Sequence, residues 1–340
     1  MSETPAGPWS EPPAAPAPTG PRLNATDFLT AQRANRRNTV WLIVILLLLG
    51  AGVGYSLGAF LEAYFGMAAP TATLASPLGV MLGGGMVSVG LVASAVTFVV
   101  GGKVILGITG AQDVERDAEP MLHNVVEEMA IAAGIPKPKV YLIETDVPNA
   151  FATGMEPREA AIGVTRGLLT TLNREELQGV IGHETGHIVN WDTRYMTAVA
   201  ILVGLIALVC DGARRMLWYG GGSGDGRNRK GSAGPLLLIF LLFAILAPIA
   251  AQLVRFAVSR QREYLADATA VKLTRNPLGL IGALQKLEAL ARPFKGANRA
   301  TQHMFIVNPI REFGADVGAL MATHPPLEAR IKRLRNLGRV

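Results

Sequence analysis

The sequence predicts a helical membrane protein with up to four spanning helices and one α+β domain, whose second part follows the last span. Three observations carry that expectation. The 340 residues are 50% hydrophobic and only 17% charged, with a mean hydropathy of +0.31, a balance outside that of ordinary soluble domains. The hydrophobic residues fall into long uncharged runs. Between the second and third of these lies a section that mixes helical and strand-like patterns and contains His183-Glu184-Thr185-Gly186-His187.

The elements follow in chain order. Met1 to Pro21 holds seven prolines and few apolar side chains, so residues 1–32 are expected to form a disordered Pro-rich tail. It is not a cleavable secretory signal: the apolar core starts only at Val40, is too long, and lacks a small-residue cleavage site after it. Val40 to Leu61 is a run of 22 uncharged residues, and 40 more lie between Glu62 and Lys103. Each exceeds the ~20 residues that a spanning helix needs. Residues 33–110 are therefore expected to form a hairpin, with spans at about 40–61 and 78–102. Arg33, Arg36 and Arg37 precede the first span and only Glu62 is charged between the two, which places the N-terminus in the cytoplasm. Gly79 and Gly83, four apart, would let the second span approach another helix closely.

A soluble section follows. Pro120 starts a helical stripe of Leu122, Val125, Val126, Met129 and Ala130 that stops at Gly134, in keeping with proline at a first turn and glycine past a last one. Lys139–Ile143 and Ala160–Thr165 read as short strands. Asn173, with Glu176 three residues on, reads as a capping box opening the helix that carries Leu177, Val180, Ile181 and Ile188. Tyr195 to Cys210 is uncharged for 16 residues, and the stretch between Lys230 and Arg255 for 24. These suggest a second hairpin over 195–254, with spans at about 195–210 and 231–254. At ~1.5 Å per residue the shorter run covers only ~24 Å, so a shallow or protein-buried hairpin is the alternative. The Gly-rich connection between them carries five basic and two acidic residues. Either way the chain after Arg255 returns to the side of the earlier soluble section, and 111–194 together with 255–340 would form one domain.

On a helix, residues four apart share a face. His183 and His187 can therefore grip one metal ion, with Glu184 beside the open coordination position as a general base for hydrolysis. A third protein ligand is still needed. Glu263 and Asp267 are also four apart: either Glu263 ligates and Asp267 accepts the outer N–H of a ligating histidine, or the two are an acidic pair on a solvated helix. Cys210 is the only cysteine, so a disulfide within the chain and a Cys-based zinc site are both excluded. The net charge of +6 sits largely beside the apolar runs, and no aromatic-basic pattern points to nucleic acid.

Several stretches together resemble a family. Pro148–Gly154 (PNAFATG), His183–His187 followed by NWDTR at 190–194, SRQREYLADA at 259–268 and THPPLEARI at 323–331 are similar to the integral-membrane zinc metallopeptidases of the M48 group, across residues 33 to 340. The resemblance implies a gluzincin-like site: one Zn²⁺ on His183, His187 and Glu263, with Glu184 as base. It also implies that the α+β protease domain lies on the cytoplasmic side of a bacterial inner (plasma) membrane and cleaves unfolded or damaged membrane proteins. Asn149 is implied as a holder of substrate backbone along a strand edge, where an extended peptide would pair. The Pro-rich tail and the Gly-rich connection depart from the family pattern.

His324 has two readings: a donor to substrate or oxyanion, or the cap of a proline-led helix carrying Leu327, Ile331 and Leu334. Two other functions compete with the main one. A prenyl-protein (CaaX-like) processing protease would share these motifs but needs a larger intramembrane chamber than four runs build. A non-enzymatic scaffold with a relic metal site would have no reason to keep Glu184.

Overall fold

The computed structural model describes residues 25–64, 76–201, 260–290, 292–293, 301, 304–307 and 325–337. Residues 1–24 of the expected disordered tail, His324 and almost all of the expected second hairpin lie outside the described residues; residues 25–32, beyond the last proline of that stretch at Pro21, are helical instead of disordered.

Two long helices, α1 (Ala25–Tyr64) and α2 (Pro77–Thr109), pack against each other as a hairpin. Among the described residues they alone are long and apolar enough to cross a membrane, over Arg33–Gly52 and Pro77–Thr109. Their outward faces carry large apolar side chains such as Trp41, Leu48, Val89 and Val99, as a helix facing hydrocarbon requires. Gly79 and Gly83 are the close-approach points: a Cβ on either would lie 2.8 Å from Tyr55 O or 2.9 Å from Ala51 O of α1. Glu62, the lone charge between the spans, accepts the Leu78 N–H at 2.6 Å, a carboxylate placed on the unsatisfied amides of a helix N-terminus.

At ~1.5 Å per residue, α1 (40 residues) and α2 (33 residues) are both far longer than a ~30 Å hydrocarbon core. The excess is used inside the protein. Ile105 and Leu106, near the end of α2, are buried in a cluster with Ile143, Phe151, Met196 and Phe305. The membrane hairpin and the following domain are thus packed together.

That domain holds a four-stranded mixed sheet in the order β1-β2-β4-β3, formed by Gln112–Asp113, Lys139–Ile143, Ala161–Thr165 (β4) and Ala150–Thr153 (β3). β2 and β4 run parallel; the outer pairings are antiparallel. Helix α3 (Pro120–Ala133) begins at its proline and ends on Gly134, which takes the left-handed conformation at φ 66°. After the short α4 (Arg166–Thr171) comes α5 (Arg174–Val189), opened by a reciprocal capping box: Asn173 Oδ1 accepts Glu176 N–H, and Glu176 Oε2 accepts Asn173 N–H, both at 2.9 Å. A helical stretch over 192–201 follows, then α6 (Arg260–Thr274), α7 (Pro277–Ala289) and α8 (Leu327–Leu337).

The core joins α3, the sheet, α5, α7 and α8 through Leu122, Val126, Ile162, Ile181, Leu284 and Leu334. α5 lies at its centre and is buried along most of its length. Its contact with α6 depends on Gly186. A Cβ there would come within 3.1 Å of Ala266 Cα and Thr269 Cβ, so any larger residue would press the two helices apart by a few tenths of an ångström or more.

Candidate active site

The close approach of α5 and α6 brings together residues that are about 80 positions apart in sequence. His183 and His187, one turn apart on α5, turn their Nε2 atoms toward each other at 3.2 Å. Glu263 of α6 faces both, with its carboxylate oxygens 3.7 Å from His183 Nε2 and 3.8 Å from His187 Nε2. One ligand atom from each of the three lies within 4.8 Å of the others, and all three residues are buried.

The outer faces of both imidazoles are held by carboxylates. His183 Nδ1 is 2.9 Å from Asp267 Oδ1, and His187 Nδ1 is 3.0 Å from Asp192 Oδ2. An ionised carboxylate only accepts, so each Nδ1 carries a proton and each Nε2 is the atom turned to the centre. Once the Nε2 proton of His187 is displaced, two inward imidazole nitrogens and an inward carboxylate, all buried, form a donor set that fits one divalent cation.

Arg330 of α8 completes the surroundings. It is only 1% exposed. Its Nε and one terminal nitrogen donate to the two oxygens of Asp267 at 2.9 and 2.6 Å, and its other terminal nitrogen is 3.5 Å from Glu263. A forked guanidinium on a carboxylate fixes both partners in one plane. Arg330 therefore orients Asp267, which orients His183.

Asp192 stands just beyond the C-terminus of α5, past a corner in which Trp191 takes the left-handed conformation at φ 62°. Such a backbone state costs on the order of 1–3 kcal/mol for a residue other than glycine, so the corner persists only because its neighbours hold it. Arg36 of α1 stacks on the Trp191 ring at 3.9 Å from its centroid.

Glu184 is 1% exposed. Among the described residues neither of its oxygens has a hydrogen-bond partner; the Ala152 amide is close enough to favour the charged form without making a bond of good geometry. Burial is the main cause that pushes the Glu184 carboxyl up to about 7, with Glu263 adding to it. Burial also lowers His183 to about 4, with the Arg330 charge acting in the same direction. For His187 burial, the largest single cause, opposes protonation too, but the hydrogen bond and charge of Asp192 together with the charges of Glu263 and Glu184 outweigh it and raise the group to about 9. Without a metal, one proton on His187 substitutes for part of the missing positive charge.

Asn149 is placed at the end of β3 and is buried. Its carboxamide oxygen accepts the Ala150 and Val307 N–H groups at 3.0 and 3.4 Å, and its nitrogen donates to Val307 O at 2.8 Å. Ile306 N–H donates to Ala150 O at 3.0 Å. In this conformation residues 305–307 of the chain itself line the free edge of β3 beside Asn149. Two residues of the site, Asp192 and Arg330, had no role assigned from the sequence. Arg330 had a signal there: with Leu327 and Leu334 it falls at i, i+3 and i+7, on the apolar face.

Residues 116–338 match peptidase family M48. A protein named Protease HtpX homolog from Caldanaerobacter subterraneus is 52% identical over 236 residues, which cover 69% of this chain and 78% of that protein. Another of the same name from Streptococcus gordonii is 41% identical over 308 residues, covering 89% and 98%. The crystal structure of Ste24p from S. mikatae superposes with a TM-score of 0.44 at 20% identity, covering 91% of this chain and 67% of that one. With its family match spanning the buried His-His-Glu cluster and its buried glutamate, the chain belongs to the M48 peptidases, a family of metalloproteases, and is a membrane protease of that family.

Proposed function

We propose that this chain is a zinc-dependent endopeptidase that cleaves unfolded or damaged membrane proteins on the cytoplasmic side of a bacterial inner membrane. The convergence of His183, His187 and Glu263 around one point, with Glu184 buried beside it and unsatisfied, carries the reading. His183, His187 and Glu263 would hold the zinc, which would supply Lewis acidity. Glu184 would accept the proton of the attacking water and deliver it to the leaving amine nitrogen. A carboxyl raised to about 7 is matched to both halves of that transfer near neutral pH. Asp267 and Asp192 accept from Nδ1–H and so hold the imidazoles in the tautomer whose Nε2 lone pair can bind a metal.

The strand edge supports an extended substrate. Ala150 presents its carbonyl to the free edge of β3, where it meets Ile306. By the two-residue alternation of a strand, the Ala152 peptide groups point to the same edge, next to Glu184. Substrate backbone pairs at the Ala152 part of that edge; pairing at Ala150 and Asn149 requires residues 305–307, which occupy those groups in this conformation, to give way. Such pairing selects unfolded segments rather than a particular sequence.

Two observations favour the cytoplasmic side. Arg33, Arg36 and Arg37 sit at one end of the first span, and Arg36 packs on Trp191 of the protease domain. The basic end of α1 and the domain are therefore on one side, the side that positive charge prefers. The prenyl-protein alternative has less support, since the relatives of high identity carry the name Protease HtpX homolog. The test is metal analysis of purified chain: one zinc per chain in wild type, and none in His187→Ala or Glu263→Ala. Full zinc in both variants would refute the site.

A further inference from the structure

We propose that Asn35, on the first membrane-crossing helix, is a positioning residue for the metal site, so that metal affinity depends on how that helix is seated. The inference rests on the reading of His183, His187 and Glu263 as zinc ligands.

The chain of contacts is short. Asp192 Oδ2 is 3.0 Å from His187 Nδ1. The other oxygen, Oδ1, accepts from Asn35 Nδ2 at 2.6 Å, and the same nitrogen donates to Asn190 O at 2.9 Å. Both partners only accept, so the group facing them is the amide NH₂ and both its hydrogens are used. One side chain thus ties the carboxylate that orients His187 to the backbone of the corner that ends α5. Asn35 is 3% exposed and Asp192 is fully buried, so bulk water does not compete for either bond. Arg262 Nε approaches Asp192 Oδ1 only to 3.8 Å, an ion-pair distance rather than a hydrogen bond.

The corner itself is strained at Trp191, and α1 supplies two of the groups against it, the Asn35 amide and the Arg36 guanidinium. These two can be separated experimentally. Arg36 docks the helix without touching Asp192, whereas Asn35 bonds to it. If α1 only needs to be docked, the two behave alike; if Asn35 aims Asp192, they do not.

The experiment measures zinc affinity of the full chain in lipid nanodiscs by competition with a chromophoric chelator. Loss of a partner behind a metal-binding histidine typically costs about 10- to 100-fold in affinity. Asn35→Ala is expected at the lower end of that range, and Asn35→Ser, which keeps one donor, nearer to wild type. Asn35→Asp sets two carboxylates together and is expected to be worse than Asn35→Ala. Combining Asn35→Asp with Asp192→Asn restores a donor and an acceptor across the contact, so the pair should bind zinc more tightly than Asn35→Asp alone. Arg36→Ala, which loosens the corner but leaves the bond to Asp192 in place, should lose clearly less affinity than Asn35→Ala.

Wild-type affinity in Asn35→Ala, with binding abolished in His187→Ala, overturns the role of Asn35 and leaves the metal site standing. Equal losses in Asn35→Ala and Arg36→Ala overturn it in favour of mere docking. Wild-type affinity in His187→Ala overturns both readings. Should Asn35→Ala fail to fold, the combined variant decides: no recovery over Asn35→Asp refutes the proposal.

Discussion

Replacing Arg330 by Met removes a buried guanidinium while keeping most of the side-chain volume. In the wild type its fork spans both oxygens of Asp267 at 2.6 and 2.9 Å and reaches Glu263 at 3.5 Å. All three groups are within a few per cent of full burial, so water cannot screen what is left. The Arg330 charge is one of the causes that hold the Asp267 carboxyl below its usual range against burial, which pushes it up. Removing one partner of a buried pair costs about 3–5 kcal/mol, because an uncompensated charge stays behind. For a domain of this size, about 2–4 °C of melting temperature corresponds to each kcal/mol, which gives a fall of roughly 6–20 °C. Zinc places its own positive charge among the same carboxylates, so the fall should be larger in chelator than in saturating zinc. The assay is a thermal melt of detergent-purified wild type and Arg330→Met in both conditions. Arg330→Lys, which keeps charge but loses the fork, should fall between them. Equal melting temperatures for wild type and Arg330→Met in chelator would refute the reasoning.

Three further outcomes are expected. Gly186→Leu would drive a side chain into Ala266 and Thr269, where even a Cβ meets atoms at 3.1 Å; displacing α6 carries Glu263 away, so this variant should lose zinc, read by metal analysis. Asp267→Ala should weaken zinc binding by about 10- to 100-fold with little change in backbone circular dichroism. The third concerns pH. In the metal-free fold His187 is raised from 6.5 to about 9, so its proton stabilises that fold fully below pH 6.5, a contribution lost as pH rises through 9. Zinc must displace that proton, so its affinity should climb about tenfold per pH unit from 7 toward 9, measured by chelator competition; a flat profile would contradict the assignment.

Much of this fold could be read locally. The Asn173–Glu176 capping box, the Pro120 start and Gly134 stop, the strand at Lys139–Ile143 and the first two uncharged runs each depend on neighbours within a few residues, and each appears in the structure. The His183–His187 spacing and the Glu263–Asp267 spacing are helical too, and so visible. What the sequence hid are partnerships at long range. Asn35 lies 157 residues from Asp192, and Arg330 lies 147 from His183. No periodicity links such pairs. Their meeting depends on how α1 and α8 pack, which is fixed by the whole core. The β3 edge shows the same limit: from its sequence Asn149 could face substrate, but its bonds to Val307 depend on where a segment 158 residues away comes to lie.

The most direct test compares cleavage of an unfolded protein by detergent-purified, zinc-loaded wild type and Glu184→Gln. Glu184 touches no described hydrogen-bonding partner, so the substitution should spare both the fold and the zinc. The account predicts one zinc per chain in each, peptide products from wild type and none from the variant. Equal cleavage by both, with zinc bound, would contradict it.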